Sequence, residues 1–487
     1  MGRTILLLIL GLLVLSFVLL GRAMTISSQQ ESFAPGEPVH IDAQAAADSL
    51  GKAIRFRTIS YQDASRFDAS AFIGLHGFLA QTFVETHRRL QREVIENFSL
   101  LYTWPGSDPS LPPLLLLGHL DVVPADPRTE AEWTYPPFSG TVADGYIWGR
   151  GAMDDKVAVF GAMEAVEGLL RGGFAPRRTI MLAFGHDEEV TGRQGARTIA
   201  ARLAERGLRV EMIIDEGMAI LEGIIPGVAK PVASVGIAEK GYASLELIAV
   251  GQGGHSSMPP RQTSVGILAA AIRALEAHPM PVHFDGPVES LFRFLAPEMA
   301  LGPRMVLANV WLFKVPLSLM LNDSPPMRAV IRTTLAPTML EASVKENILP
   351  PRARAVINVR IHPADDIDDV LEHVRGIIRD MRVTARVLDE NRVEPSAVSP
   401  VDAPAFRVLH RAIREQYPDV VMAPGLVLGA TDSRHYRALT ENIYRFLPIR
   451  IGAGDVARIH GTDERLSVKQ YVDAIAFYTR LIRHMSE

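Results

Sequence analysis

A doubly wound, mainly parallel α/β catalytic domain, interrupted by a smaller α+β domain and preceded by one hydrophobic helix, is the fold class this sequence predicts. Three observations carry it: short apolar runs that end on glycine or a polar residue, helix-like stretches between them, and a switch to alternating patterns near residue 240.

The hydrophobic segment comes first. Residues 4–21 are mostly Leu, Ile and Val and carry no charge, between Arg3 and Arg22. That run is short for a spanning helix and long for a signal-peptide core. Gly21 and Ala23 supply the small residues a signal peptidase reads, but Arg22 between them favours an uncleaved anchor over a cleaved signal. A buried core helix does not suit an extreme N-terminus followed by the polar Ser27-Ser28-Gln29-Gln30. Residues 1–24 are therefore read as a membrane anchor or signal segment and 25–39 as a linker. Either reading sends the catalytic domain across a membrane, to a periplasmic, extracellular or lumenal side.

The catalytic strands follow. Leu114-Leu115-Leu116-Leu117 runs into Gly118-His119, residues 179–184 into Gly185-His186-Asp187, and residues 210–214 into Asp215. Continuous apolar runs of this length read as strands covered on both faces. Helices belong between them, over 157–170 and 195–206. Open α/β sheets build their sites at the carboxyl ends of such strands, so residues distant in sequence can converge there.

Composition bounds the rest. The chain has 487 residues, more than one core usually carries, so two domains are expected. A net charge of −5 with 22% charged residues leaves no basic footprint for nucleic acid. Cysteine is absent, which excludes disulfides and thiolate metal sites.

From about Lys240 the pattern alternates. Residues 243–250 and 352–361 read as strands with one buried face, the second through Ala353, Ala355, Ile357, Val359 and Ile361. Helices are expected over 265–277 and 367–381, the latter with an apolar stripe of Ile367, Val370, Leu371, Val374, Ile377 and Met381 and four aspartates at its start. This describes an inserted lid or dimerisation domain over 240–393, with 40–239 and 394–487 forming the catalytic domain; the return at 390–393 has no Gly or Pro to mark it. Within the insert, residues 305–313 and 315–321 form a long apolar stretch, read as ordinary core of an enlarged lid or, alternatively, as lining a pocket or membrane-facing surface suited to lipophilic acyl groups.

The residues with metal-ligand chemistry sit on five turn-rich motifs: Gly118-His119-Leu120-Asp121, residues 149–156 around Asp154, His186-Asp187-Glu188-Glu189, Asp215-Glu216-Gly217 and Arg458-Ile459-His460-Gly461. Imidazoles and carboxylates without thiols suit Zn²⁺, with Co²⁺ or Mn²⁺ as substitutes. One carboxylate has two oxygens and can hold two cations about 3.5 Å apart around one water. Asp215 and Glu216 are neighbours on a strand, so only one is expected to face the metal. Asp121, two residues after His119, is placed to accept its imidazole N–H.

Taken in order, these motifs resemble those of the co-catalytic zinc aminoacylase and carboxypeptidase superfamily, in particular its carboxypeptidase S and secreted N-acyl-amino-acid hydrolase branch. The resemblance covers nearly all of the chain after residue 40. It implies two Zn²⁺ per subunit, bridged by Asp154, with His119 and the acid at Asp215 or Glu216 on one and Glu189 and His460 on the other. It also implies Glu188 as general base toward a bridging water, and a cis peptide after Asp154. His255, in Gly251-Gln252-Gly253-Gly254-His255, matches the family histidine that polarises the scissile carbonyl, in dimeric relatives that of the partner subunit. Asn347, Arg360 and Arg434 match substrate-binding positions, Arg434 with a guanidinium fork suited to a carboxylate.

The function so implied is hydrolysis of an amide bond next to a free carboxylate, in small peptides or N-acyl amino acids, by a membrane-tethered enzyme that admits a homodimer through its inserted domain. Two other readings compete with it. A catalytically silent, tethered peptide-binding protein would usually have lost a ligand or the base, and none is missing; an aminopeptidase, the other alternative, would need an acidic anchor for an α-amine, and no motif marks one.

Overall fold

The strands Leu114–His119, Ile180–Gly185 and Met212–Asp215 lie side by side in parallel near the centre of a ten-stranded mixed sheet in the computed structural model, which describes residues 2–486 apart from the side chains of 2 and 389–391. The sheet runs Gln91–Ile95, Ser99–Trp104, Ile180–Gly185, Leu114–His119, Met212–Asp215, Ile443–Arg445, Val232–Glu239, Ile220–Glu222 and Arg450–Gly452, with Val421–Val427 added in parallel to Val232–Glu239. Side chains alternate between its faces as a strand requires. Leu114, Leu116, Leu182 and Ile214 enter a core with the helices Ala43–Ile54, Lys156–Arg171, Pro404–Gln416 and Val468–Met485. Leu115, Leu117, Met181 and Ile213 enter a smaller core under Ala196–Glu205. Both faces are thus apolar, which is why the runs read continuously; each such side chain contributes about 1.5–3 kcal/mol of burial.

The chain leaves this sheet after Glu239 and forms a second, four-stranded antiparallel sheet in the order Thr334–Glu341, Arg352–Ile361, Gly241–Val250 and Val383–Val393. The helices Ser264–Ala277 and Ile367–Ile378 cover one face, where Leu245, Leu247, Ile357, Val359, Ile267, Val370 and Val374 are buried together. Asp366 caps the second helix in a reciprocal capping box with Asp369, as the acidic start suggested. The helix stops earlier than its stripe did, because Arg379 takes a left-handed conformation (φ 44°), and Met381 is left exposed.

Two parts of the chain go where periodicity did not point. The helix Pro287–Leu295, inside the insert by sequence, returns to the first core through Phe294, Leu295 and Met299 and packs on Val421–Val427. The segment after the helix Gly2–Thr25 is strapped to the catalytic domain. Gln30 exchanges two hydrogen bonds with the backbone of Met422 (2.8 and 2.9 Å), Arg407 meets Glu31 at 2.9 Å, and Arg480 donates to the Glu37 carbonyl at 2.7 Å.

Candidate metal centre and catalytic cavity

His119 ends its strand at the carboxyl edge of the sheet and is almost fully buried. Its Nε2 lies 3.0 Å from Asp154 Oδ1. Asp154 sits in the loop before the helix Lys156–Arg171, where Gly149 (φ +143°) gives the chain a turn that a side chain would block, since a Cβ there would meet Ile54 at 2.5 Å. The Asp154–Asp155 peptide is cis. His460 arrives from the last part of the chain, and its Nε2 lies 2.8 Å from the other Asp154 oxygen and 3.5 Å from Glu189 Oε2. One carboxylate therefore has an imidazole nitrogen on each of its oxygens.

The donor set fits a cation. Ligand atoms of His119, Asp154 and Glu189 lie within 4.8 Å of one another, and the buried Glu189 Oε1 has no hydrogen-bond partner among the described residues. Electrostatics agree. Asp154 and Glu189 push the His460 imidazole up to about 10, and His119, which burial alone would hold neutral, is pushed well up by Asp121 and Asp154. The carboxylates call for positive charge at this point, and nitrogen and oxygen donors of this kind suit a zinc-type ion.

Asp121 is buried beneath the cluster. Its two oxygens accept the backbone N–H groups of Glu188 and Glu189, each at 3.2 Å, so it fixes the loop that carries both acids. His119 Nδ1 is 3.3 Å from Asp121 Oδ1 but nearer, at 2.9 Å, to the Asp121 carbonyl. The backbone oxygen is thus the closer partner, and the tautomer it sets leaves Nε2 free to face Asp154. Burial, then Asp432, Glu189 and Asp121, push the Glu188 carboxyl well above the usual range against the opposing His119. A carboxyl so placed readily accepts a proton. His186 and Asp187 turn away: His186 bonds Ser99 at 2.7 Å, and Asp187 accepts the N–H groups of Gln194 and Gly195 at 2.8 Å each.

Asp215 and Glu216 face opposite ways. The Asp215 carboxylate is taken up by the N–H groups of Glu216 (3.0 Å) and Ser433 (2.8 Å), on the side of Thr431 and Glu239. Glu216 shares the electrostatic environment of Asp154, Asp155 and His119, and burial followed by those two aspartates pushes its carboxyl well up.

A cavity of about 1090 Å³ opens beside the cluster between the ten-stranded and four-stranded sheets, with Glu188, Glu189, His460, Tyr242, Arg360 and Arg434 among its walls. Arg360 lies over the Tyr242 ring at 4.9 Å, and no carboxylate pairs with it among the described residues. Arg434 donates to the Thr191 carbonyl at 2.9 Å, which ties it to the loop behind Glu189. His255 and Asn347 are not brought to this cavity. They lie exposed beside the two-residue ladder of Gly254–His255 with Ile348–Leu349, where Ser256 donates to the Asn347 carbonyl at 3.2 Å. The apolar stretch 305–321 contributes no wall to this cavity; Asn309 and Leu317 are buried, Leu307 packs against the first core, and Trp311, Val315, Leu319 and Met320 are exposed.

Three groups that sequence reading passed over organise the site. Arg150 and Glu464 form a buried ion pair at 2.6 Å, Arg150 also donates to the His460 carbonyl (2.9 Å), and Glu464 accepts the N–H groups of Met153 (2.8 Å) and Asp154 (3.3 Å). This pair locks the Asp154 loop to the His460 loop. Glu239, where the chain leaves the sheet, accepts from Thr431 (2.7 Å) and from buried Arg445 (3.2 Å), which pins the glycine turn near Arg434. Asp432 is buried against Gly185 and Gly192, where a Cβ would come within 2.5 and 2.0 Å of its oxygens. Arg150 and Asp432 lie within motifs visible in the sequence, but nothing local marked their partners.

A candidate metal group of His119, Asp154 and Glu189 at the carboxyl edge of an α/β sheet is what a metallopeptidase-type hydrolase would carry. The chain belongs to peptidase family M20/M25/M40, whose profile matches residues 115–484. It is 43% identical over 92% of its length to a probable carboxypeptidase S-like 2 of Dictyostelium discoideum, covering 87% of that protein. It is 40% identical over 98% of its length to the human N-fatty-acyl-amino acid synthase/hydrolase PM20D1, covering 95% of that chain. Among solved structures, an M20 family metallo-carboxypeptidase from Sulfolobus solfataricus shares the fold, with a TM-score of 0.65 and 17% identity over 92% of this chain and 100% of that one.

Proposed function

We propose that this enzyme is a zinc-dependent amidohydrolase that releases an amino acid from an N-acyl amino acid or small peptide, anchored by the helix Gly2–Thr25 with its catalytic domain on the non-cytoplasmic side. The observation that carries the reading is the approach of His119 and His460 to the two oxygens of Asp154, next to a free-standing Glu188. The names of the relatives, a carboxypeptidase and an N-fatty-acyl-amino acid synthase/hydrolase, point to the same bond.

Asp154 would bridge two zinc ions, one also held by His119 and Glu216 and the other by Glu189 and His460; Glu216 is preferred to Asp215 because the latter's oxygens are already occupied by N–H groups. Zinc in this position supplies Lewis acidity, polarising the scissile carbonyl and making water acidic. Glu188 takes the proton from the attacking water as its oxygen joins the carbonyl carbon, then delivers it to the nitrogen as the C–N bond breaks. Asp121 keeps Glu188 and Glu189 in register throughout.

Arg360 binds the free carboxylate, being the cavity cation that stacks on Tyr242 without a carboxylate of its own among the described residues. Arg360→Ala is expected to raise KM for N-acyl amino acids by about 10–100-fold, as loss of a charged hydrogen bond does. Against the matching amino-acid amides, which lack the carboxylate, the variant and the wild type should behave alike. Equal losses on both substrate sets would remove Arg360 from this role.

His255 and Asn347 serve a second copy of the chain, which accounts for their exposure away from their own cavity. An equimolar, refolded mixture of Glu188→Ala and His255→Ala subunits should then recover about a quarter of wild-type activity, because half the dimers are mixed and one of their two sites is whole. Recovery no greater than the sum of the separate variants would place His255 outside the chemistry.

A further inference from the structure

The helices Leu301–Leu307 and Val310–Asn322 meet at 108°, and the pair is long and apolar enough to enter a membrane. From 305 to 322 the only charged residue is Lys314. In the second helix Leu317 is the one buried residue, while Trp311, Val315, Leu319 and Met320 are 58–67% exposed. A contiguous apolar face of this kind marks a contact surface.

Its neighbour identifies the occupant. The last turns of the helix Gly2–Thr25 dock on the bend of the pair: the Asn309 amide donates to the Leu19 carbonyl at 3.1 Å, Arg22 donates to the Ala308 carbonyl at 3.3 Å, and Leu19 and Ala23 are buried there. The helix as a whole, 24 residues or about 36 Å at 1.5 Å per residue, is long enough for a bilayer, and residues 3–18 ahead of the docked turns are bare apart from Leu15. The docking sets its last turns against Ala308 and Asn309, where Val310–Asn322 begins. The strapped segment after it, through Gln30 on Met422 and Arg407 on Glu31, holds the catalytic body in a fixed relation to both helices.

We propose that the pair Leu301–Leu307 and Val310–Asn322 is a second membrane seat. Val310–Asn322 lies within the bilayer leaflet on the catalytic side, with Trp311, Val315, Leu319 and Met320 among the acyl chains and the Lys314 ammonium reaching back to the headgroups. The enzyme is then held against the lipid surface at two points, instead of swinging on a tether. The helix that follows, Pro325–Ile331, ends on Lys240, whose ammonium donates to the carbonyls of Ala329 (2.9 Å) and Arg332 (2.8 Å) two residues before Tyr242 in the cavity wall. The seat therefore connects directly to the junction between the domains.

The inference rests on the anchor reading for its occupant, and the test separates the two. The chain has four tryptophans, and Trp104, Trp133 and Trp148 are buried in the catalytic body at 3–8% exposure, so Trp311 alone is open to lipid. Full-length protein in phosphatidylcholine vesicles containing acyl-chain-brominated lipid should lose part of its tryptophan emission, and Trp311→Phe should abolish that loss while still floating with the vesicles. Flotation without quenching of the wild type would leave the anchor in place and overturn the seat. Failure to float would overturn both. If instead Val315→Glu with Leu319→Glu converts a detergent-solubilised dimer to monomer and quenching is absent, the face belongs to a second copy and the proposal falls.

Discussion

Replacing Glu188 with alanine is expected to lower kcat by about a thousandfold, within the range a positioned general base supplies, while zinc content stays at the wild-type level. The separation of the two readouts is the point. Glu189, its neighbour, lies 3.5 Å from His460 and belongs to the ligand cluster, whereas Glu188 faces the cavity with its carboxyl pushed up by burial and by Asp432 and Glu189. Because a buried acid is costly to keep, Glu188→Gln should be at least as thermally stable as the wild type. Calorimetry, zinc analysis and turnover on an N-acyl amino acid check all three; retention of more than a tenth of wild-type kcat would remove Glu188 as the base.

Glu464→Ala is expected to be the most damaging change outside the ligands. It leaves the Arg150 guanidinium buried and unpaired, which typically costs about 3–5 kcal/mol, and it frees the N–H groups of Met153 and Asp154. Since the same pair holds the Asp154 loop against the His460 carbonyl, zinc affinity should fall by about 10–100-fold. Thermal unfolding of the metal-free protein reads the first effect, and competition with a zinc chelator reads the second. Glu464→Gln, whose single amide oxygen can serve either the N–H groups of Met153 and Asp154 or Arg150 but not both, should fall between.

The central sheet was legible because its strands are buried on both faces. Leu114 to Leu117 alternate between two cores, so no polar residue interrupts the run before Gly118. The candidate ligands His119, Glu189 and Asp215 or Glu216 were legible because they follow strand ends, and Asp154 and His460 because they sit in short glycine-containing loop motifs, where a histidine or acid has few structural reasons to exist. Choosing between Asp215 and Glu216 was not, because it depends on N–H donors from Glu216 and from Ser433, 218 residues away. The Arg150–Glu464 pair spans 314 residues and leaves no periodic trace. The end of the helix at Arg379 depended on one residue's backbone, which its apolar stripe could not report. The return of Pro287–Leu295 to the first core was hidden for a related reason: an amphipathic helix announces an apolar face, not which of two cores will cover it.

The proposed function requires amide hydrolysis that depends on a metal held at Asp154. The most direct measurement is release of free amino acid from a panel of N-acyl amino acids and dipeptides by full-length protein in detergent, before chelation, after chelation and after zinc is returned, with Asp154→Asn alongside. Activity that disappears with chelation, returns with zinc and is never seen in Asp154→Asn is the predicted result; release that persists in chelator, or in the variant, would contradict it.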